Sequence, residues 1–212
     1  MPDETAPDLP ALTPPLRHRA NSVIDGDCLH ILSEMRPEVV DLTVFSPPYD
    51  GIRDYNKEWQ FDISALGKEL FRVTKDGGMC AVVIGDGTKD FAKSLTSFRK
   101  GKRPRTFHKE PLMVPSKHAG KIYTGTDRLT NGEMRQIVPK AVNPLKCRGT
   151  IWKYSTSNSE GNRLKLKHPA TYPDKLAEDV LLCFSDPNDL VLDPMCGSGT
   201  TCVVAAQNGR RY

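Results

Sequence analysis

Two stretches combine residue types and spacings that suit chemistry. The first is VFSPPYDGIRDY, residues 44–55, in which the β-formers Val44 and Phe45 run into Ser46, then Pro47 and Pro48, then Tyr49. A proline has its φ fixed, and a following proline biases the one before it toward an extended backbone. The hydroxyl and carbonyl groups around such a pair stand in preset positions. Taken alone, the stretch reads equally well as a rigid turn with a serine cap. The second is VLDPMCGSGTT, residues 191–201, a strand, a Gly-rich loop and a helix start. Gly197 and Gly199 let a ligand approach the backbone closely, and N–H groups at a helix start favour negative or polar ligand groups. Asp193, at the strand end, can accept from the ammonium of an amino-acid-like ligand. The loop is not the dinucleotide fingerprint G-x-G-x-x-G, because Cys202 stands three residues after Gly199, and no lysine follows Gly199 as in a phosphate-cradling loop. A strand-to-helix turn with no ligand is the alternative at this point.

These groups need elements to carry them. SVIDGD (22–27) predicts a short strand and turn, after which Asp27 caps a helix over Cys28 to Met35, with Leu29 and Leu32 on one face and Pro37 beyond its end. VVDLTVF (39–45) is too apolar for a half-exposed edge and predicts a buried strand. Asp62 opens a helix on which Leu66, Leu70 and Val73 share a face, DGG (76–78) breaks it, and MCAVVIGD (79–86) predicts a second buried strand. Near the C-terminus Pro173 suits a helix start, with Leu176, Val180 and either Leu181 or Phe184 lining one face. DLVLD (189–193) is another strand, and the helix after the Gly-rich loop ends at Gly209. Buried strands alternating with helices predict an α/β domain with a mainly parallel sheet, whose ligands bind beyond the carboxyl ends of the strands. SPPY (46–49) and GDGT (85–88) both sit at such ends.

The charge is unevenly distributed. Residues 99–167 hold 17 Lys or Arg against 4 Asp or Glu, in a chain whose net charge is only +4, so the rest is acidic. A segment this basic predicts contact with a polyanion, against the plainer reading of a solvated insert. It also loses the strand–helix alternation. The chain therefore divides into a Pro-rich disordered lead-in (1–20), two α/β stretches (21–98 and 168–212) and the basic insert (99–167) between them. Six dispersed cysteines without a CxxC pair, and His108, His118 and His168 without ligand spacing, predict no metal site and a reduced, cytoplasmic chain. No apolar run has the length of a membrane span.

SPPY, DPMCGSGTT (193–201) and HPATYP (168–173) together resemble the motifs of S-adenosylmethionine-dependent DNA amino-methyltransferases, and their order along the chain resembles the permuted β group. The resemblance implies a Rossmann-like sheet with helices on both faces, plus a basic target-recognition insert. It casts Ser46, Pro47, Pro48 and Tyr49 as catalytic. It gives the cofactor to Asp193, Pro194, Cys196, Gly197, Ser198, Gly199, Thr200 and Thr201, to His168, Pro169, Tyr172 and Pro173, and to Asp27 and Cys28 of the acidic turn GDC. The family carries more α/β sequence after the IGD strand and a further strand beyond the position of Tyr212. Against that pattern the chain is expected to lack strands after Arg99 and to be truncated at its C-terminus.

The reaction implied is attack of an exocyclic amine on a sulfonium methyl, by direct displacement, on a base flipped out of double-stranded DNA. The Ser46 hydroxyl and the Pro47 carbonyl would accept from the amine, and Tyr49 would offer a face for stacking. A first-position serine resembles the cytosine-N4 enzymes, where aspartate or asparagine resembles the adenine-N6 enzymes. Cytosine N4 is the expected target and adenine N6 the alternative; an inactive DNA-binding module that keeps the fold is an alternative of another class. In the insert Arg99, Lys100, Lys102, Arg103 and Arg105 form one cluster and Lys146, Arg148, Lys153, Arg163 and Lys165 another, with Trp152 and Tyr154 interleaved; most are expected to bind phosphates. A restriction endonuclease and a second copy of the chain are the other partners the resemblance allows.

Overall fold

The structure, a computed structural model, describes residues 20–47, 62–85, 93–149, 152–154 and 172–212. Pro48, Tyr49, Arg163, Lys165, His168 and Pro169 lie outside the described residues, as do Asp86 and the proline-rich lead-in up to residue 19.

The core is a four-stranded sheet. β1 (Val40–Phe45) is buried along its whole length, as its apolar composition requires. It pairs in parallel with β10 (Val191–Leu192) on one side and with β2 (Thr74–Gly85) on the other. β3 (Lys93–Arg99) adds an antiparallel edge to β2, with Met79 opposite Arg99 and Gly85 opposite Lys93. The order is β10-β1-β2-β3. The sequence pattern assigns no element to KSLTSFR, so this strand is an addition from the structure. Its mixed polar composition hides the signal, because an edge strand needs only one apolar face.

Helices cover both faces. α1 (Cys28–Glu34) and α2 (Ile63–Val73) pack on one face, where Leu32, Phe45, Leu66, Leu70 and Val73 form one buried cluster. α3 (Asp174–Phe184) and α4 (Thr200–Gln207) pack on the other, where Leu42, Val44, Val180, Leu181 and Val204 form the second. Of the two candidates for the α3 face, Leu181 is the buried one. The caps follow local chemistry: Asp62 accepts from Ser64 and Ala65 N–H at 2.9 Å, and Asp27 accepts from His30 N–H at 2.9 Å.

Two local expectations fail. SVIDGD forms no strand; it runs as irregular chain with Val23 exposed, and Asn21 meets the Tyr212 backbone. DGG does not end α2. The helix stops at Val73, where Thr74 Oγ1 donates to the Leu70 carbonyl at 2.6 Å, and β2 begins at once. The strand pairing shifts register between Thr74 and Met79, and at Gly78 a Cβ would meet Thr74 Cγ2 at 2.6 Å, so close packing selects glycine there.

The insert contacts the α/β domain near its start. Its base is woven into the domain. Lys100 Nζ reaches Glu38 and the Thr74 carbonyl, each at 3.0 Å, and His108 N–H donates to the Cys183 carbonyl at 2.9 Å. Between these anchors and Arg148, residues 113–147 fold back on themselves in three nested antiparallel ladders. β4 (Met113–Pro115) pairs with β9 (Leu145–Cys147), β5 (Ile122–Tyr123) with β8 (Lys140–Ala141), and β6 (Thr126–Arg128) with β7 (Met134–Gln136).

Candidate active site

Because β10, β1 and β2 are parallel, their carboxyl ends reach the same edge of the sheet, where an open α/β sheet binds ligands. Ser46 and Pro47 follow the last residue of β1 and are half-buried. Asp193 follows the last residue of β10, next door. Register alone therefore brings the two motifs together.

A hydroxyl fastens them. Thr201 Oγ1, buried in the first turn of α4, donates to Asp193 Oδ2 at 2.6 Å and lies 3.1 Å from the Val44 carbonyl oxygen, so the two acceptors share one proton. The phenol of Tyr172, just before α3, bonds the same hydroxyl. Burial, and then the neighbouring Asp193, hold the Tyr172 phenol well above the usual tyrosine range, so it stays a neutral donor. Asp193 Oδ1 accepts from Met195 N–H at 2.9 Å. Even so, desolvation dominates and pushes the Asp193 carboxyl up to about 6. Its Oδ1, which accepts from Met195 N–H, keeps a lone pair for a further donor.

A cavity of about 420 Å³ opens beside this carboxylate. It is lined by Asp193, Pro194 and Cys196, by the apolar Val23, Ile31, Met35 and Leu192, and by Gly26 and Cys28. This volume lies in the ordinary range for small-molecule sites. A carboxylate with spare acceptor capacity and apolar side chains in one cavity suit a ligand with an ammonium and a flat heterocycle, as S-adenosylmethionine has. The cavity joins GDC to DPMC, which lie far apart in the chain.

Individual residues are placed as follows. Cys28 and Cys196 line the cavity, whereas Asp27 does not: its carboxylate caps α1. Tyr172 and Thr201 stand behind the loop and brace Asp193, and Pro173 is the N-cap of α3. Thr200 is buried, and Ser198 Oγ lies 3.4 Å from Thr200 Oγ1. Gly199 has φ +79°, and a Cβ added there would meet nothing within 4 Å, so left-handed backbone, and no crowding, demands glycine. Gly197 is exposed, also at positive φ. Sequence reasoning missed Ile31, Met35, Leu192 and Cys202 as cavity residues. Only the apolar face of α1 hinted at the first two. The Cys202 thiol donates to Cys196, which lowers the pKa of the Cys196 thiol while that of Cys202 is pushed up.

Three of the cations assigned to phosphates are paired with carboxylates within the fold. Lys100 pairs with Glu38 and lies over the Phe71 ring. Arg105 pairs with buried Asp41, which Lys75 also binds at 2.8 Å. Arg148 pairs with buried Asp179 and stacks 4.0 Å from the Trp152 ring centroid. Arg99, Lys102, Arg103, Lys146 and Lys153 are exposed. Among the described residues no group of His, Cys, Asp or Glu is arranged to hold a metal, and no helix is long and apolar enough to cross a membrane.

Comparison with known proteins decides the family. The N6_N4_Mtase family model, described as DNA methylase, matches residues 92–212, more than half of the chain. The orphan methyltransferase M.BamHII of Bacillus amyloliquefaciens is 31% identical over 88% of this chain and 83% of its own length. The chain belongs to this DNA methylase family. Its methyl donor is S-adenosylmethionine, and its target is an exocyclic amine of the N4-cytosine or N6-adenine type. Two further relatives of this methylase are the type II methyltransferase M1.MboII of Moraxella bovis (26% identical; 91% of this chain, 90% of the relative) and the DNA adenine methyltransferase YhdJ of Escherichia coli (26%; 92% and 78%). The solved structure of the PvuII DNA methyltransferase (cytosine-N4-specific) superposes with a TM-score of 0.51 at 19% identity, over 87% of this chain and 77% of that one, which places the methylase in the α/β methyltransferase fold.

Proposed function

We propose that the chain methylates N4 of cytosine in double-stranded DNA at a specific site, with the target base flipped out of the helix. The observation that carries this reading is the juxtaposition of the Ser46–Pro47 strand end with the Asp193 carboxylate across the β1–β10 pair, held by Thr201. S-adenosylmethionine supplies an electrophilic methyl when bound. Asp193 would hold it through its ammonium, and the apolar side chains lining the cavity with Gly26 and Cys28 would take the ring. The Ser46 hydroxyl and the Pro47 carbonyl accept hydrogen bonds from the amine. This favours a tetrahedral nitrogen whose lone pair is available, and the acceptors need little reorganisation because proline fixes them. No covalent link to the chain is needed. Tyr49 provides the stacking face for the base.

Serine favours cytosine because a hydroxyl can donate to the ring nitrogen beside the amine as well as accept, which an ionised carboxylate cannot. Adenine N6 is the second reading, supported by the resemblance to YhdJ, whose name is that of an adenine enzyme. The test is incubation with labelled cofactor and DNA, then digestion to nucleosides. Label in N4-methylcytosine supports the proposal, label in N6-methyladenine supports the second reading, and label in neither refutes both.

A further inference from the structure

We propose that the arm of residues 113–147 reads sequence in the major groove of DNA, through one face of its outermost ladder: Thr126, Arg128, Met134 and Gln136. The inference rests on DNA being the substrate. Directly opposed residues of an antiparallel pair share a face, and alternate residues along a strand do too. Thr126 opposes Gln136 and Arg128 opposes Met134, so these four side chains project together, while Asp127 and Arg135 share the other face. All six are exposed. Among the described residues neither the Arg128 guanidinium nor the Gln136 amide has an intramolecular partner. Both types are suited to base edges: arginine in bidentate fashion to guanine, glutamine to adenine, with methyl groups of threonine and methionine left to meet thymine methyls. The arm's dimensions suit this use, because the major groove admits a two-stranded ribbon.

Charge selects nucleic acid as the occupant. The arm carries Lys117, Lys121, Arg128, Arg135, Lys140 and Lys146 against Asp127 and Glu133. The cations at its base differ: Lys100, Arg105 and Arg148 are held by carboxylates of the domain. The domain keeps its own ion pairs and leaves the arm's cations to a polyanion. A bare two-stranded ribbon is also marginal in water, and this one exposes Ile122 (67%) and Met134 (62%), so a covering partner suits it. The base is fixed in place by the Arg148–Asp179 pair and by Phe107 against Phe184, with ring centroids 5.6 Å apart, so the arm is aimed from α3.

The test is selection of preferred duplexes from a randomised DNA library by the full chain at one fixed salt concentration. The wild type is expected to return a motif. Arg128→Ala and Arg128→Lys should each lose about tenfold of the preference at one G·C pair, since lysine keeps the charge but not the fork. Gln136→Ala should do the same at an A·T pair. Lys121→Ala should weaken every sequence alike, with a shallower salt dependence and the same motif. An unchanged motif in the Arg128 and Gln136 variants overturns the proposal, as does a uniform loss across sequences, or burial of the arm in a dimer seen by sedimentation and lost in those variants. Methyl transfer is measured on the same samples. Transfer with an unmoved motif sinks the arm and spares the enzyme, whereas a moved motif without any transfer does the reverse.

Discussion

Asp193 makes the affinity for S-adenosylmethionine depend on pH in a calculable way. Its carboxyl is pushed up to about 6 by desolvation, which outweighs the hydrogen bonds from Thr201, Met195 and Tyr172. In the cofactor-free chain it is therefore about 90% ionised at pH 7 and about 10% at pH 5. An ammonium pairs only with the ionised form. Lowering the pH from 7 to 5 should thus weaken binding about tenfold, or ~1.4 kcal/mol, and binding at pH 6 should release about half a proton. Titration calorimetry at pH 5, 6 and 7, repeated in buffers of different ionisation enthalpy, reads both quantities. The Cys202 thiol lowers the pKa of the Cys196 thiol in the same cavity, so the series is run on Cys196→Ser as well. The stability of the cofactor-free chain should move the other way. A raised carboxyl contributes stability below about 4 that is lost as pH rises through about 6, so weaker binding at pH 5 is not explained by the loss of this group's contribution to the fold. A flat affinity from pH 5 to 7, or proton uptake on binding, refutes the pairing. Asp193→Asn should bind more weakly at pH 7 and lose the dependence.

Other substitutions test other parts of the molecule. Ser46→Ala should slow methyl transfer roughly a hundredfold while DNA affinity, read by anisotropy, stays within about twofold; equal loss of both contradicts the role given to the hydroxyl. Thr201→Val removes the hydroxyl between Asp193, Val44 and Tyr172 and leaves buried polar groups unpaired, so urea unfolding should show a loss of about 1–3 kcal/mol. Gly199→Ala meets no atom but forces a left-handed φ, for a cost of about 1 kcal/mol by the same measurement. Asp41→Ala removes the buried carboxylate that binds Lys75, Arg105 and the Leu190 N–H, and should cost about 1–3 kcal/mol, with the base of the arm becoming more open to proteolysis.

Features set by a few adjacent residues are legible in the chain. VVDLTVF is a buried strand because six consecutive positions lack a solvent face, and it is seen as β1. Asp62 and Asp27 announce their helices because a side-chain cap satisfies N–H groups two or three residues away. The order of SPPY and DPMCGSGTT pointed to the family, since both motifs are contiguous. Failures came where a segment's state depends on its neighbours. SVIDGD has strand composition but forms no strand and lies along the cavity instead, and KSLTSFR became a strand only because β2 offered it an edge.

The sequence by itself therefore determined the chemistry available: a serine and prolines at one strand end, a carboxylate and glycines at another, and a basic insert. Tertiary structure alone decided which of these meet. Parallel register set β1 beside β10, and Thr201 then reached Val44 across 157 residues. Folding also separated the insert's cations, pinning Lys100, Arg105 and Arg148 to carboxylates while leaving those of the arm exposed. Composition counts charges, but a charge is available to a ligand only if the fold has not already paired it, and pairing is fixed by distance.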